Sequence, residues 1–403
     1  MRVSIITTNS FPNGMAASNR IKCYAKALMQ VGTQVEVVTY LRTERKDTLT
    51  SNGVASGVYE GIPYRYIGGI TSRRSNLFLR KWDDLVDFYR LIKYIYSLKE
   101  GDCVICYNDF NLNTPFIISA AHFHNIIFIA EVCELPYGVS KETHITKLKR
   151  KLTEFLQIPR YDGAIVISRA LEDYVKKHTK ARCILCRIPI LVDFPKYSLK
   201  DLSSTQDEFY IFHAGTLFEQ KDGIIGLIKA CAIACKKLNY KLYFKSTGYI
   251  DKSPHAEDIK KVISEYKVEK NVAFLGYLSN DELQDYLSKA SLVIINKYDN
   301  QQNRYCFSTK LAEYLAASKP LIITNVGEAP YWLNNKRDSF IVEAGDVNSI
   351  ATAIIELYNN DSLRETISMG GRETCKSKFD LTNYGNTLID FLNTCRSQIL
   401  SVK

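Results

Sequence analysis

Apolar positions along this chain fall into two alternating patterns, short continuous runs and stretches with a helical repeat. Val3 to Thr8, Gln34 to Thr39, Cys103 to Tyr107, Ile126 to Ala130, Gly163 to Ile167 and residues 183–187 read as buried strands, with a shorter one at Tyr64 to Ile67. Helical spacing predicts helices over about 19–31, Leu77 to Leu98, about 146–157 and from the Ser168 cap to His178. A strand, a helix and a second strand in such short order require parallel pairing. Ile188 to Pro195 reads as extended chain, and Ser198 to Glu208, rich in Ser, Asp and Lys, as a linker. The pattern then restarts, with strands at Phe209 to Ala214, Lys241 to Gly248, Val272 to Leu275, Leu292 to Asn296, Leu321 to Thr324 and Phe340 to Val342. Thr382 to Leu400 is a last helix beyond the sheet pattern. The expected fold class is α/β, with two Rossmann-like domains, 1–198 and 199–380, facing across a cleft.

The stretch from Phe307 to Asn325 carries the densest chemistry. A loop, a short helix through Leu311, Tyr314 and Leu315, Pro320 and a buried strand follow one another directly. Phe307, Ser308 and Thr309 offer backbone N–H groups at the helix start and Lys310 adds a positive charge, a combination that suits phosphate. Glu313, one turn further in, is placed to accept hydrogen bonds from a pair of hydroxyls such as those of a ribose. An ordinary capped amphipathic helix fits the same residues.

Loops at other strand ends add candidates. Gly14, in the Asn9 to Ser18 loop, lets backbone approach a ligand, and Arg20 in the first helical turn opposes the helix dipole. Glu131 and Glu134 lie just beyond a strand end and are expected to orient an acceptor hydroxyl or take its proton; N-caps and loop ion pairs are the alternative. Asn108 and Asp109 end another strand. In the second half, Gly215 and Thr216 open a turn that leads to Lys221, which is placed to neutralise phosphate.

Composition narrows the class. The chain has 403 residues, 46% hydrophobic, which suits two domains of a soluble globular protein. No run reaches membrane-span length and the N-terminal apolar stretch is too short for a signal peptide, so a cytosolic location is expected. Eleven cysteines are scattered, and the Cys103–Cys106 and Cys183–Cys186 pairs lie in apolar strand-like segments without a zinc-site turn, so no metal is expected. The net charge is +10. Residues 1–200 hold 29 Lys and Arg against 18 Asp and Glu, and residues 201–403 hold 24 against 25, so the first half carries the excess. Arg73-Arg74, Arg80-Lys81 and Lys147 to Lys151 are each followed by aromatic or aliphatic residues, which fits an anionic membrane surface or a solvated face over the domain's own core. No nucleic-acid-binding module accompanies the charge.

In this order and spacing the motifs resemble the retaining GT-B glycosyltransferases, in particular glycosyltransferase family 4. The resemblance rests on Gly215-Thr-Leu with Lys221-Asp-Gly, Phe274-Leu-Gly-Tyr-Leu, Lys310-Leu-Ala-Glu-Tyr-Leu-Ala-Ala with Lys319-Pro-Leu-Ile, and Phe340-Ile-Val-Glu-Ala-Gly-Asp346, and covers nearly the whole chain. It implies a nucleotide-sugar donor, UDP- or GDP-linked, bound by the second domain without a metal. Lys221, Lys310 and the amides of Phe307, Ser308 and Thr309 would meet the diphosphate, Glu313 the ribose, and the backbone around Tyr277 the base. An acceptor, a glycan or a lipid-linked one, would enter past Gly14 and the Glu131 to Glu134 loop, and residues 381–403 would return to the first domain. Three family positions differ. Tyr305 stands where a glutamate is frequent, Thr216 where an arginine is, and Cys133 where a histidine is. An unusual donor or a different set of sugar contacts is therefore expected. Retention of configuration follows from the resemblance. An epimerase or phosphorylase on the same fold, and a non-catalytic binder of nucleotide sugar or membrane, are the rival readings.

Overall fold

The computed structural model describes residues 1–45, 52–107, 110–111, 113–137, 143–197 and 208–401. Asn108, Asp109 and nearly all of the Ser198 to Glu208 linker lie outside these residues. The chain divides into two compact units, Met1–Val192 with Leu381–Lys403, and Asp193–Asp380.

The first unit holds strands β1 (Arg2–Thr7), β2 (Gln34–Thr39), β3 (Ser56–Tyr59), β4 (Ile62–Tyr66), β5 (Cys103–Tyr107), β6 (Ile127–Val132), β7 (Gly163–Val166) and β8 (Ile184–Arg187). Their order in the sheet is β3-β4-β2-β1-β5-β6-β7-β8. Only β3 and β4 pair antiparallel. They form a hairpin that the polar stretch before Tyr64 conceals, turned at Glu60 and Gly61, both with positive φ. The inner strands β5, β6 and β7 are buried at every position, which is why they read as unbroken apolar runs.

Helix Thr114–Phe123 was not expected from the pattern, because apolar residues surround nearly its whole circumference and leave no period to detect. The first helix starts at Ala16, three residues earlier than expected, so Arg20 sits in its second turn rather than its first. Helix Leu77–Tyr96 buries Leu91, Tyr94 and Ile95 together with two acids nearer its start. Its buried positions include Asp83 and Asp87, which pair with the Arg42 guanidinium at 2.5 and 3.0 Å, while Phe78 and Trp82 are 85% and 64% exposed.

Helix Gly385–Leu400 belongs to the first unit, where Leu388, Phe391, Leu392 and Cys395 join the core made by β1, β5 and β6. A Cβ on Gly163 would lie 2.7 Å from the Cys395 Sγ and 2.8 Å from the Phe391 ring, so β7 and this helix meet through a glycine.

The second unit holds β9 (Tyr210–His213), β10 (Tyr243–Ser246), β11 (Val272–Phe274), β12 (Leu292–Ile295), β13 (Leu321–Thr324) and β14 (Phe340–Val342). All are parallel, in the order β11-β10-β9-β12-β13-β14. The chain runs outward from β9 in one direction and then reverses, so the switch point lies between β9 and β12. In open sheets of this kind, the carboxyl ends at that point form the ligand crevice.

Gly385 meets the first helix closely; a Cβ there would lie 2.6 Å from the Ala27 carbonyl oxygen and 2.8 Å from Val31 Cγ1. Gly385→Val is expected to cost about 1–3 kcal/mol in urea denaturation through overpacking. Asn386→Val, at the exposed neighbouring position, should stay within about 0.5 kcal/mol.

Candidate functional site

At the switch point of the second unit, the loop after β9 is held by its neighbours on both sides. The Ala214 N–H donates to the Tyr314 hydroxyl at 2.9 Å, and the Gly215 N–H donates to Thr247 Oγ1 at 2.8 Å. Glycine is required at 215 because a Cβ would fall 2.1 Å from the His213 ring. That imidazole is buried, with Nδ1 3.0 Å from Ser246 Oγ. Burial, reinforced by the nearby Lys310 charge, lowers its pKa to about 3 and keeps it neutral. Leu217 adopts a left-handed backbone at φ 56°, a conformation costly for a branched side chain. Its side chain is fully buried and its carbonyl accepts from Ser253 Oγ at 2.8 Å, contacts that hold it there.

Asp222 organises the charges. It closes the short helix Glu219–Asp222, is buried, and accepts from Lys310 Nζ at 2.8 Å through Oδ1. Its Oδ2 accepts from the Thr216 N–H and Oγ1 at 3.4 and 3.2 Å. Burial alone would raise the carboxyl pKa, but Lys310 and the surrounding positive groups outweigh it and hold the acid well below its ordinary range. Lys221, one residue earlier, is exposed, and its carbonyl accepts from Lys297 Nζ at 3.0 Å. Gly215, Thr216, Lys221 and Lys310 are therefore gathered at one place.

Helix Thr309–Ala316 points its N-terminus there, and the Ser308 side chain does not cap it. Ser308, Thr309 and Lys310 are half-buried, and Phe307 is buried against Trp332 and Phe379. Glu313 lies one turn further along the same helix, also half-buried. A cleft in front of this N-terminus is lined by Lys297, Asn303, Cys306, Phe307, Ser308 and Glu328 among others. Tyr277 is exposed just after β11, where the Gly276 carbonyl accepts from the Gly248 N–H at 2.7 Å. Sequence reading missed Asp222, Lys297 and Asn303. Lys297 was within reach of the strand-end rule, since it stands two residues beyond β12.

The first unit places its candidates differently. Gly14 is exposed, and its close approach is to its own loop, with a Cβ falling 2.0 Å from Ser18 Oγ. Glu131 does not lie beyond the strand end as expected; it is an internal residue of β6 and is fully buried. Its Oε1 accepts from Arg20 Nε at 2.7 Å and from the Tyr24 hydroxyl at 3.2 Å. The Arg20 guanidinium also donates to the Pro189 and Ile188 carbonyls at 2.7 and 3.0 Å. Burial pushes the Glu131 pKa upward against the pull of Arg20. Sealed in this way, Glu131 has no route to a substrate proton, and Arg20 has its reason for opposing the helix dipole. Glu134 is exposed on the loop after β6.

Residues 198–374 match the family model described as glycosyl transferases group 1. The chain is 28% identical over 186 residues to the lipopolysaccharide core biosynthesis glycosyltransferase LpsD of Rhizobium meliloti, a match covering 46% of this chain and 49% of that one. It thus spans about half the length of that relative. Sucrose-phosphate synthase from Thermosynechococcus elongatus superposes with a TM-score of 0.74 at 16% identity, over 100% of both chains. HepE from Anabaena, solved in complex with UDP, superposes with a TM-score of 0.71 at 14% identity, over 98% of this chain and 100% of that one.

Arg20→Met would leave the Glu131 charge buried without its partner and is expected to destabilise the protein by about 3–5 kcal/mol in chemical denaturation. Combining it with Glu131→Leu should recover most of that loss. Wild-type stability in the single variant would show that the pair does not hold the unit together.

Proposed function

From the match of residues 198–374 to the glycosyl transferases group 1 model and the GT-B architecture, we propose that the chain is a glycosyltransferase that moves a sugar from a nucleoside diphosphate to a hydroxyl acceptor. The observation that carries this reading is the uncapped N-terminus of helix Thr309–Ala316 with Lys310 fixed beside it by Asp222. In the proposed complex the diphosphate meets the amides of Phe307 to Thr309 together with Lys221 and Lys310. Glu313 takes the ribose hydroxyls, and the backbone at Gly215, Thr216 and Tyr277 borders the nucleoside. UDP and GDP are the proposed nucleotides.

The barrier lies in the negative charge that develops on the departing diphosphate. Ammonium groups and helix amides already oriented toward it stabilise that charge with little reorganisation. The lysines supply the compensation that a metal would otherwise give. The acceptor hydroxyl attacks on the face the diphosphate leaves, so configuration is retained, and its proton is lost toward the leaving group. A role in polysaccharide or lipid-linked glycan synthesis fits this chemistry and the kind of relative the chain resembles.

Membrane attachment through the first unit is part of the same proposal, at the inner face of the plasma membrane. Helix His144–Leu156 exposes Ile145, Leu148 and Phe155 among Lys147, Lys149, Arg150 and Lys151, and helix Leu77–Tyr96 exposes Phe78 and Trp82. Outward aromatic groups with interleaved cations suit an anionic lipid surface. Among the described residues no helix is long and apolar enough to cross a membrane.

Lys310→Met is expected to lower turnover about a hundredfold or more, and Glu313→Ala to weaken binding of UDP or GDP in a thermal-shift series. Full turnover and donor affinity in both variants would move the site elsewhere. A protein stabilised by the nucleotide that never consumes a nucleotide sugar would be a binder only. For the membrane, neutralising Lys147, Lys149 and Arg150 by substitution with Gln should reduce partition to phosphatidylglycerol vesicles about a hundredfold, at about 1 kcal/mol per cation. Equal partition to neutral and anionic vesicles at moderate salt would remove this part of the proposal.

A further inference from the structure

We propose that Lys297 is an additional substrate-binding residue of this chain, an ammonium that contacts the donor diphosphate beside the N-terminus of helix Thr309–Ala316; this rests on the donor reading above. Lys297 follows β12, on the side of the switch point opposite the β9 loop. Both of its ends are fixed. Its backbone N–H donates to Thr324 Oγ1 at 2.9 Å, and its Nζ donates to the Lys221 carbonyl at 3.0 Å. It lines the same cleft as Phe307 and Ser308, the residues that lead into the uncapped helix start.

A second residue of that cleft points to a ligand independently. Asn303 is 1% exposed, and its Nδ2 donates to the Gln220 and Tyr298 carbonyls at 3.3 and 3.0 Å. Two carbonyl partners fix the orientation of the amide, because an oxygen in that place would face oxygens. Asn303 Oδ1 is therefore the free end, a buried acceptor without a hydrogen-bond partner. Buried acceptors are rarely left unsatisfied in a resting protein. A sugar diphosphate at the mouth of this cleft would bring an anion to Lys297 and, through the single water that the void of about 20 Å³ can hold, a donor to Asn303.

The charges around Lys297 give the same direction. Asp222 faces it but is already committed to Lys310 and Thr216. Lys310 and Lys221 repel it, Cys306 attracts it when ionised, His213 is neutral, and the buried Glu328 carboxylate accepts from the Trp332 indole at 3.0 Å. Lys297 forms no ion pair among the described residues. Desolvation first, and the two neighbouring lysines against the attraction of Asp222, bring its pKa down to about 8. A positive group held beside two others and a helix N-terminus is costly until an anion arrives. The anion raises the Lys297 pKa again, so binding draws a proton onto it.

Calorimetry of UDP and GDP binding in buffers of different ionisation enthalpy tests this with the whole protein. At pH 8 the wild type is expected to take up about half a proton per nucleotide, and its affinity should fall about tenfold from pH 7 to pH 9. The second phosphate ionisation, near pH 6, lies outside that window. Lys297→Met should bind about tenfold or more weakly at pH 7, with no uptake and a flat profile. Lys297→Arg, charged throughout the window, should restore affinity with a profile equally flat. Thermal unfolding checks that both variants fold, and the wild-type uptake needs neither. Nucleotide binding without uptake at pH 8, or a Lys297→Met protein with wild-type affinity, overturns the role of Lys297 and leaves the donor reading intact. Failure of both nucleotides to bind the wild type at pH 7 removes both.

Discussion

One buried carboxylate holds the second unit's switch point together. Asp222 accepts from the Lys310 ammonium on one oxygen and from the Thr216 N–H and hydroxyl on the other, joining the loop after β9 to the start of helix Thr309–Ala316. The Tyr314 hydroxyl, on the same helix, holds the Ala214 N–H from the other side. Two loops from distant parts of the chain thereby keep a fixed relation. A lysine on a free surface sweeps through many rotamers, whereas Lys310 has its charge placed before any ligand arrives. Placement in advance is what makes electrostatic stabilisation effective, since the reorganisation cost falls on folding and not on the reaction.

The first unit uses buried charge for another purpose. Arg20 is matched by Glu131 and two backbone carbonyls, and Arg42 by Asp83 and Asp87. Each guanidinium ends on carboxylate or carbonyl oxygen, with planar geometry suited to both. The Arg42 pairing also helps to set which way helix Leu77–Tyr96 faces. With Asp83 and Asp87 drawn inward, the opposite side carrying Phe78 and Trp82 is turned to solvent. An amphipathic pattern fixes that a helix has two faces; here the buried ion pairs in its first half and Leu91, Tyr94 and Ile95 in its second half set which is inside.

Most strands were legible because a parallel sheet covered on both faces leaves continuous apolar runs, as at Cys103–Tyr107 and Leu321–Thr324. Two loops of the second unit were legible as strand-end and helix-start loops too, since glycine at 215 and the Ser308-Thr309-Lys310 sequence mark backbone and charge requirements that show locally. What stayed hidden depends on residues far apart in the chain. Helix Thr114–Phe123 has no polar face to give it a period, and the β3–β4 hairpin is built from residues whose polarity resembles a loop. Glu131 read as a loop acid because its partner, Arg20, lies 111 residues away. Lys297 followed a strand as plainly as Gly215 did, yet a lone lysine carries no signature until the neighbours that crowd it are known.

The contrast between the two units is itself an argument about function. Where buried charge serves stability, as at Arg20 and Arg42, the structure closes the account with opposite charge on named oxygens. At the switch point of the second unit, three lysines stand around one aspartate, the nearby histidine is kept neutral by burial, and a helix N-terminus adds its partial positive charge. Lys221 is exposed and screened, so the excess is felt chiefly at Lys297 and Lys310. Folding alone gives no reason to gather positive charge there; a neutral side chain at 297 would avoid the desolvation and the repulsion together. A dianionic group would offset those repulsions, because each lysine would gain an attraction to it. A surplus of one sign, held by fixed geometry at the carboxyl edge of a parallel sheet, suits an anion, and the diphosphate proposed above is one that would match it.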